Sequence, residues 1–146
     1  MTESNAGLCS RRASEDELVR AATTFLSRKG YRVRLEVPNM GQSIDVAATK
    51  NRWLWAVEAK VHFWSGAIAQ CKAHELVADF ICVAIATRRV APRLAEHAAL
   101  RGYGIIHYSQ KARRCRWAVM PRRNRKVWSA QRKRLSRNLR GISYVT

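Results

Sequence analysis

The chain has 146 residues, 47% of them apolar, which is the size of one domain able to bury a core of its own. Its 28 Lys+Arg against 10 Asp+Glu leave a net charge of +18, more than a solvated surface requires, so a polyanion such as DNA is the expected partner. The longest apolar stretch, residues 80–86, is far short of the roughly 20 needed to cross a bilayer, which argues against a membrane protein.

The first residues lack the apolar core of a secretory signal, and the expected location is the cytoplasm. Ser14 then caps a predicted helix whose apolar positions Leu18, Ala22, Phe25 and Leu26 recur at three- and four-residue spacing, with Gly30 at its end. Tyr31, Val33, Leu35 and Val37 alternate with charged residues, a half-buried strand that Pro38 is expected to end. Residues 43–49 and 53–60 read as two more strands joined at Lys50-Asn51-Arg52, completing a three-strand meander. A helix over 66–78, a buried strand over 80–86, a helix over 91–101 and a strand over 104–108 follow, with a further strand over 116–120. The fold class is therefore α/β, with an αβββαβ core and a mixed central sheet flanked by helices. Residues 14–120 form the predicted domain, and residues 121–146 a basic extension. Cys9, Cys71, Cys82 and Cys115 form no Cys-x-x-Cys pair, so neither zinc nor a disulfide framework is signalled, and Cys71 and Cys82 are expected in the core.

The predicted hairpin fixes a register. Facing residues of an antiparallel pair have position numbers with a constant sum, and a turn centred between Asn51 and Arg52 makes that sum about 103. Asp45 then faces Glu58 with Cβ atoms about 4.5–5.5 Å apart, and Lys60 shares Glu58's face. Val46 with Val57 and Ala48 with Trp55 occupy the other, apolar face. Facing carboxylates repel, and a divalent cation is the natural compensation. Oxygen ligands suit Mg²⁺ or Mn²⁺, which retain waters and leave positions for phosphate oxygens. Lys60 would then orient a water and balance charge on the phosphoryl oxygens.

With Asp45 followed by Glu58-Ala59-Lys60 on strands after a helix, residues 14–108 resemble the PD-(D/E)xK nuclease superfamily, particularly small Holliday-junction resolvases and restriction-endonuclease-like proteins. The resemblance implies that Asp45 and Glu58 bind the metal, that Lys60 assists the attacking water, and that the core order is αβββαβ. Ile44 stands where the family's motif has proline, a position that varies among its members. Some resolvase-like relatives use a first-helix glutamate, and Glu15 is the candidate here because it shares the inward face of Leu18 and Ala22, whereas Glu17 points away. Gln70, four residues before His74, partly matches a glutamine and tyrosine on the helix after the motif.

The expected function is a Mg²⁺- or Mn²⁺-dependent endonuclease acting on DNA. The alternative is a non-catalytic basic nucleic-acid-binding protein that keeps the fold. Beyond residue 96 lie half of the basic residues and none of the acids. Arg122, Arg123, Arg125, Lys126, Arg132, Lys133 and Arg134 are therefore the expected phosphate contacts, carried on a segment too charged to enter a core. Trp53 and Trp55 read as hairpin packing. His62, His97 and His107 lack ligand spacing and read as structural or solvent-facing. A homodimer is compatible with the sequence, which does not specify one.

Overall fold

A computed structural model describes residues 12–140. Cys9 and the segments before and after this range, including the end of the predicted extension, lie outside the described residues. Helix α1 (Glu15–Arg28) starts where predicted. Ser14 Oγ accepts from the Glu17 N–H at 3.1 Å, three acids sit in the first turn, and Leu18, Ala22 and Leu26 are buried. Strands β1 (Arg32–Asn39), β2 (Gln42–Lys50) and β3 (Trp53–Lys60) form the meander. Strand β1 continues through Pro38 to Asn39, rather than stopping there, because it is an edge strand where the missing N–H costs no ladder bond.

Helix α2 (Trp64–His74) leads into β4 (Phe80–Ile85), α3 (Pro92–Arg101), β5 (Gly104–Ser109) and β6 (Arg114–Val119). The predicted αβββαβ order is present. The six strands lie in chain order, with β3, β4 and β5 parallel and the remaining neighbours antiparallel, giving a mixed sheet. Helix α2 ends at His74, earlier than predicted. Residues beyond it turn, as the Val77 and Ala78 N–H groups both donate to the His74 carbonyl.

Both sheet faces are covered. On one, Leu18, Ala22 and Leu26 of α1 pack on Val46, Ala48, Trp55 and Val57. On the other, α2 and α3 bury Ala47, Leu54, Ala56 and Ile81. The face of β3 that carries Glu58 is thus apolar along most of its length, and charge collects only at the strand's end. Trp55 stacks on Phe80 with centroids 4.2 Å apart, the packing role expected of it. Cys71 and Cys82 are fully buried core residues.

The basic segment corrects one expectation. Residues 129–140 form a helix, α4 (Ser129–Arg140), in which Leu135 and Leu139, four apart, enter the same core as Leu54 and Ile81. Their spacing was visible but masked by the surrounding arginines. No helix among the described residues is long and apolar enough to cross a membrane.

Candidate active site

The β2–β3 register has the predicted sum of 103: Val46 pairs with Val57, Ala47 with Ala56, Ala48 with Trp55. The ladder ends at Val46, and at the next position the Asp45 side chain takes over, its Oδ2 accepting from the Ala59 N–H at 2.9 Å. Pairing with β1 also skips this point, passing from Leu35–Val46 to Val37–Ile44. Glu36, opposite Asp45, has φ 51°, a left-handed conformation that costs a non-glycine residue of the order of 1 kcal/mol. Strand β2 is thus released on both sides at Asp45.

Glu58 is fully buried. Its Oε1 lies 2.5 Å from His74 Nε2, while its Oε2, equally buried, has no hydrogen-bond partner among the described residues. The His74 ring, also fully buried, meets the Asn39 amide nitrogen through Nδ1 at 3.1 Å. An amide nitrogen only donates, so Nδ1 accepts, Nε2 holds the proton, and a neutral imidazole donates to Glu58. Burial lowers the His74 pKa to about 4, against the pull of the Asp45 charge, in keeping with a neutral ring. The short contact is therefore a hydrogen bond to a carboxylate and not an ion pair.

Burial raises Glu58, although hydrogen bonds to Asp45 and the Lys60 charge oppose the shift. Asp45 is pushed up to about 6, first by burial and then by hydrogen bonding to Glu58, with the Ala59 N–H and Lys60 pulling it back. The two carboxyls are within hydrogen-bonding reach, so they titrate as a coupled pair, both shifted upward. Lys60 Nζ sits 3.6 Å from Glu15 Oε1, with 30% and 51% of the two side chains exposed.

An open hollow of about 480 Å³ adjoins Asp45 and is lined by Glu15, Asp16 and Glu36, with Arg20 beside them. Together with Glu58 these acids are half of the chain's 10, gathered at one place in a protein of charge +18. Such a concentration of acids favours a cation at this place. Asp45 and Glu58 each have one oxygen engaged by the protein, which leaves the other for a ligand. Among the described residues no three His, Cys, Asp or Glu side chains enclose an ion by themselves. Two carboxylates with free oxygens are donors of the kind a hydrated Mg²⁺ or Mn²⁺ uses, whereas the described residues offer no complete ligand set for Zn²⁺ or Ca²⁺.

The structure thus brings together Asp45, Glu58, Lys60 and Glu15. The helical face differs from the expected one, since Glu15 is exposed while Glu17, expected to point away, is the more buried of the two and turns toward the Tyr108 hydroxyl. Gln70 is half-buried on α2 with its Oε1 unpaired. His74 does not face outward toward a ligand as Gln70's companion. It is the residue that fixes Glu58, and neither it nor Asn39 was picked out for that role, since their partner lies on a different strand. His107, buried, meets the Thr87 carbonyl through Nε2, while His62 and His97 are exposed.

The expected phosphate contacts divide. Arg122 donates to the Ala99 carbonyl, Arg123 lies 4.2 Å over the Trp53 ring, and Lys126 pairs with Glu75. Arg132 reaches the Asp79 carboxylate at 2.5 Å and the carbonyls of Val77 and Arg52. These partners lie where β3, β4 and β5 begin, whereas Asp45, Glu58 and Lys60 lie where β3 ends, roughly 20 Å away along an eight-residue strand. Arg125, Lys133 and Arg134 are exposed.

Fold and site together define a mixed α/β protein whose six-stranded sheet, flanked by helices, carries a buried carboxylate pair and a lysine at one end of its central strands. The fold is similar to that of the SPO1766 protein of unknown function from Silicibacter pomeroyi, with a TM-score of 0.69 and 21% identity over 88% of this chain and 85% of that one. It is also similar to an fdxN element excision controlling factor protein from Anabaena variabilis, with a TM-score of 0.53 and 16% identity over 70% of this chain and 98% of that one. An XisH family protein from Nostoc punctiforme gives a TM-score of 0.51 and 15% identity over the same shares, 70% and 98%. At these identities the likeness is one of fold. No protein-family model and no curated protein matches the chain.

Proposed function

We propose that the protein is a metal-dependent nuclease of the PD-(D/E)xK type that hydrolyses phosphodiester bonds in DNA. The observation that carries this reading is the convergence of Asp45, Glu58 and Lys60 on adjacent strands, with one buried Glu58 oxygen left unpaired and the Asp45 carboxyl raised to about 6. Asp45 and Glu58 would hold Mg²⁺ or Mn²⁺ through their free oxygens. A divalent cation there supplies Lewis-acid polarisation of a phosphate and lowers the pKa of a water. Lys60 stands beside the pair as a cation that offsets charge on phosphoryl oxygens and donates to a water. Glu15, 3.6 Å from Lys60, orients that ammonium. His74, backed by Asn39, fixes the rotamer of Glu58 so that its free oxygen faces Asp45.

A second reading is a nucleic-acid-binding protein that retains the fold without the reaction. It is favoured by the name of one structural neighbour, an excision controlling factor, which describes control and not cleavage. A metal-titrated assay on linear, circular and four-way-junction DNA separates the two, because binding alone needs no divalent cation. Cleavage that requires Mg²⁺ or Mn²⁺ and disappears in Glu58→Gln supports the nuclease. Binding without cleavage at any metal concentration supports the second reading.

A further inference from the structure

We propose that the rim formed by His62, Phe63, Arg88 and Arg89, and not the C-terminal basic segment, is the substrate-binding surface, and that it takes a nucleic-acid strand with an unpaired base stacked on Phe63. The proposal rests on the nuclease reading for the place of the reacting phosphate beside Lys60. In the parallel β3–β4 pair Lys60 is opposite Ile85, so the segments leaving the two strands emerge side by side at the site's edge. One carries His62 and Phe63, the other Arg88 and Arg89.

Phe63 is 88% exposed, the most exposed large apolar side chain among the described residues, and three residues from Lys60 place it within about 11 Å along the chain. Its backbone is left-handed, φ 50°, as it opens helix α2, an unfavourable conformation for an aromatic residue that packs against no core. Exposed His62 adjoins it, ring centroids 6.5 Å apart. Across the strand ends, Arg88 and Arg89 are exposed on a loop pinned by two hydrogen bonds, His107 Nε2 with the Thr87 carbonyl at 2.6 Å and Thr87 Oγ1 to the Arg89 carbonyl at 2.8 Å. An exposed ring leaving one strand end, with two exposed cations on the hydrogen-bonded loop leaving the neighbouring strand end, suits a base and its phosphates. Stacking is indifferent to sequence because every base has a π-face, and cations beside the ring track the backbone. A duplex hides the faces of its bases, so the surface favours single-stranded or branched DNA. By contrast, Arg122, Arg123, Lys126 and Arg132 are engaged within the protein at the far end of the strands.

The test is anisotropy titration, in metal-free buffer over a range of salt, of a labelled single-stranded oligonucleotide and of its blunt duplex. The proteins are the wild type, Phe63→Ala, Phe63→Trp, the double variant Arg88→Ala/Arg89→Ala and the double variant Lys133→Ala/Arg134→Ala. Phe63→Ala should weaken single-strand binding by about five- to a hundred-fold and duplex binding by less than about two-fold, with Phe63→Trp restoring it. Losing two phosphate contacts on a single strand should flatten the slope of log affinity against log salt by about 1.4 in the Arg88/Arg89 variant, and the Lys133/Arg134 variant should leave it near the wild-type value. Because these side chains are exposed, melting temperatures should not move, which sets a binding loss apart from unfolding. Unchanged single-strand affinity in Phe63→Ala, a slope carried by Lys133 and Arg134, or a wild type that binds neither probe would each overturn the proposal. Adding Mg²⁺ to the same samples reads the nuclease separately. Binding with the expected pattern but no cleavage would sink the nuclease and keep the surface, and cleavage indifferent to Phe63 and to Arg88/Arg89 would do the reverse.

Discussion

Glu58 shows how a single side chain is made ready for a ligand: one oxygen is tied to His74 and the other is buried against Asp45, with no donor other than that neighbour to satisfy it. An unsatisfied buried carboxylate oxygen costs free energy, of the order of 1–3 kcal/mol, which a bound cation would recover. Glu58→Gln and Lys60→Ala should each lower cleavage at least about 100-fold while DNA affinity changes only a few-fold, as measured by turnover and titration on the same oligonucleotide. His74→Gln retains a donor toward Glu58 and should keep measurable activity. His74→Ala should weaken Mn²⁺ binding, read by calorimetry, about ten-fold or more, in the range found for residues that orient metal ligands. Equal Mn²⁺ affinity in wild type and His74→Ala would remove His74 from that role.

The same residues set a pH dependence with two opposing signs. Asp45, raised to about 6 from an unfolded value near 4, retains its proton more tightly when folded, so it erodes stability as pH rises from about 4 to 6. His74, lowered to about 4 from 6.5, is neutral when folded, so its contribution is present above pH 6.5 and is lost as pH falls toward 4. In metal-free buffer Asp45→Asn should therefore be more stable than wild type at pH 7.5, by the order of 2 kcal/mol, and the gain should vanish near pH 4. Without the Asp45 titration to offset His74, the variant should also lose stability more steeply on acidification from pH 6.5. Parallel melting curves for the two proteins from pH 4 to 7.5 would show that burial and Glu58 do not hold the Asp45 proton in the folded protein.

At the scale of elements, the hairpin was the most legible part of the chain. Lys50-Asn51-Arg52 fixes the turn, and period-two alternation then fixes every pair behind it, so Asp45 and Glu58 could be placed opposite each other by arithmetic. What arithmetic could not give was the release of β2 at Asp45, which depends on a left-handed Glu36 in the neighbouring strand and on a side chain replacing a ladder bond. Nor could helical spacing show that His74 turns into the core, because its partners Asn39 and Glu58 come from β1 and β3. Helix α4 was hidden for a different reason. Two leucines among many arginines resemble a solvated tail, yet Leu135 and Leu139 are 2% and 7% exposed. Arg134 and Arg137 reach solvent while the apolar stripe is buried, as long cationic side chains allow. Leu135→Ala should therefore cost about 2–5 kcal/mol, and truncation after Ala130, which also removes Arg132 from Asp79, should destabilise the whole fold in urea melts instead of merely weakening DNA binding. Wild-type stability of the truncated protein would show that α4 is an appendage.

Across the whole molecule, a charge of +18 surrounds a pocket of acids, so long-range attraction draws a polyanion in while the site itself repels phosphate until a cation intervenes. Metal would then couple binding to chemistry. The wild type and Glu58→Gln, incubated with circular and four-way-junction DNA over a Mg²⁺ titration in one buffer, test this most directly. The account predicts cleavage by the wild type that rises with Mg²⁺, stops with chelator, and is lost in Glu58→Gln although the variant still binds the DNA. Cleavage that persists in chelator, or that survives in Glu58→Gln, would contradict it.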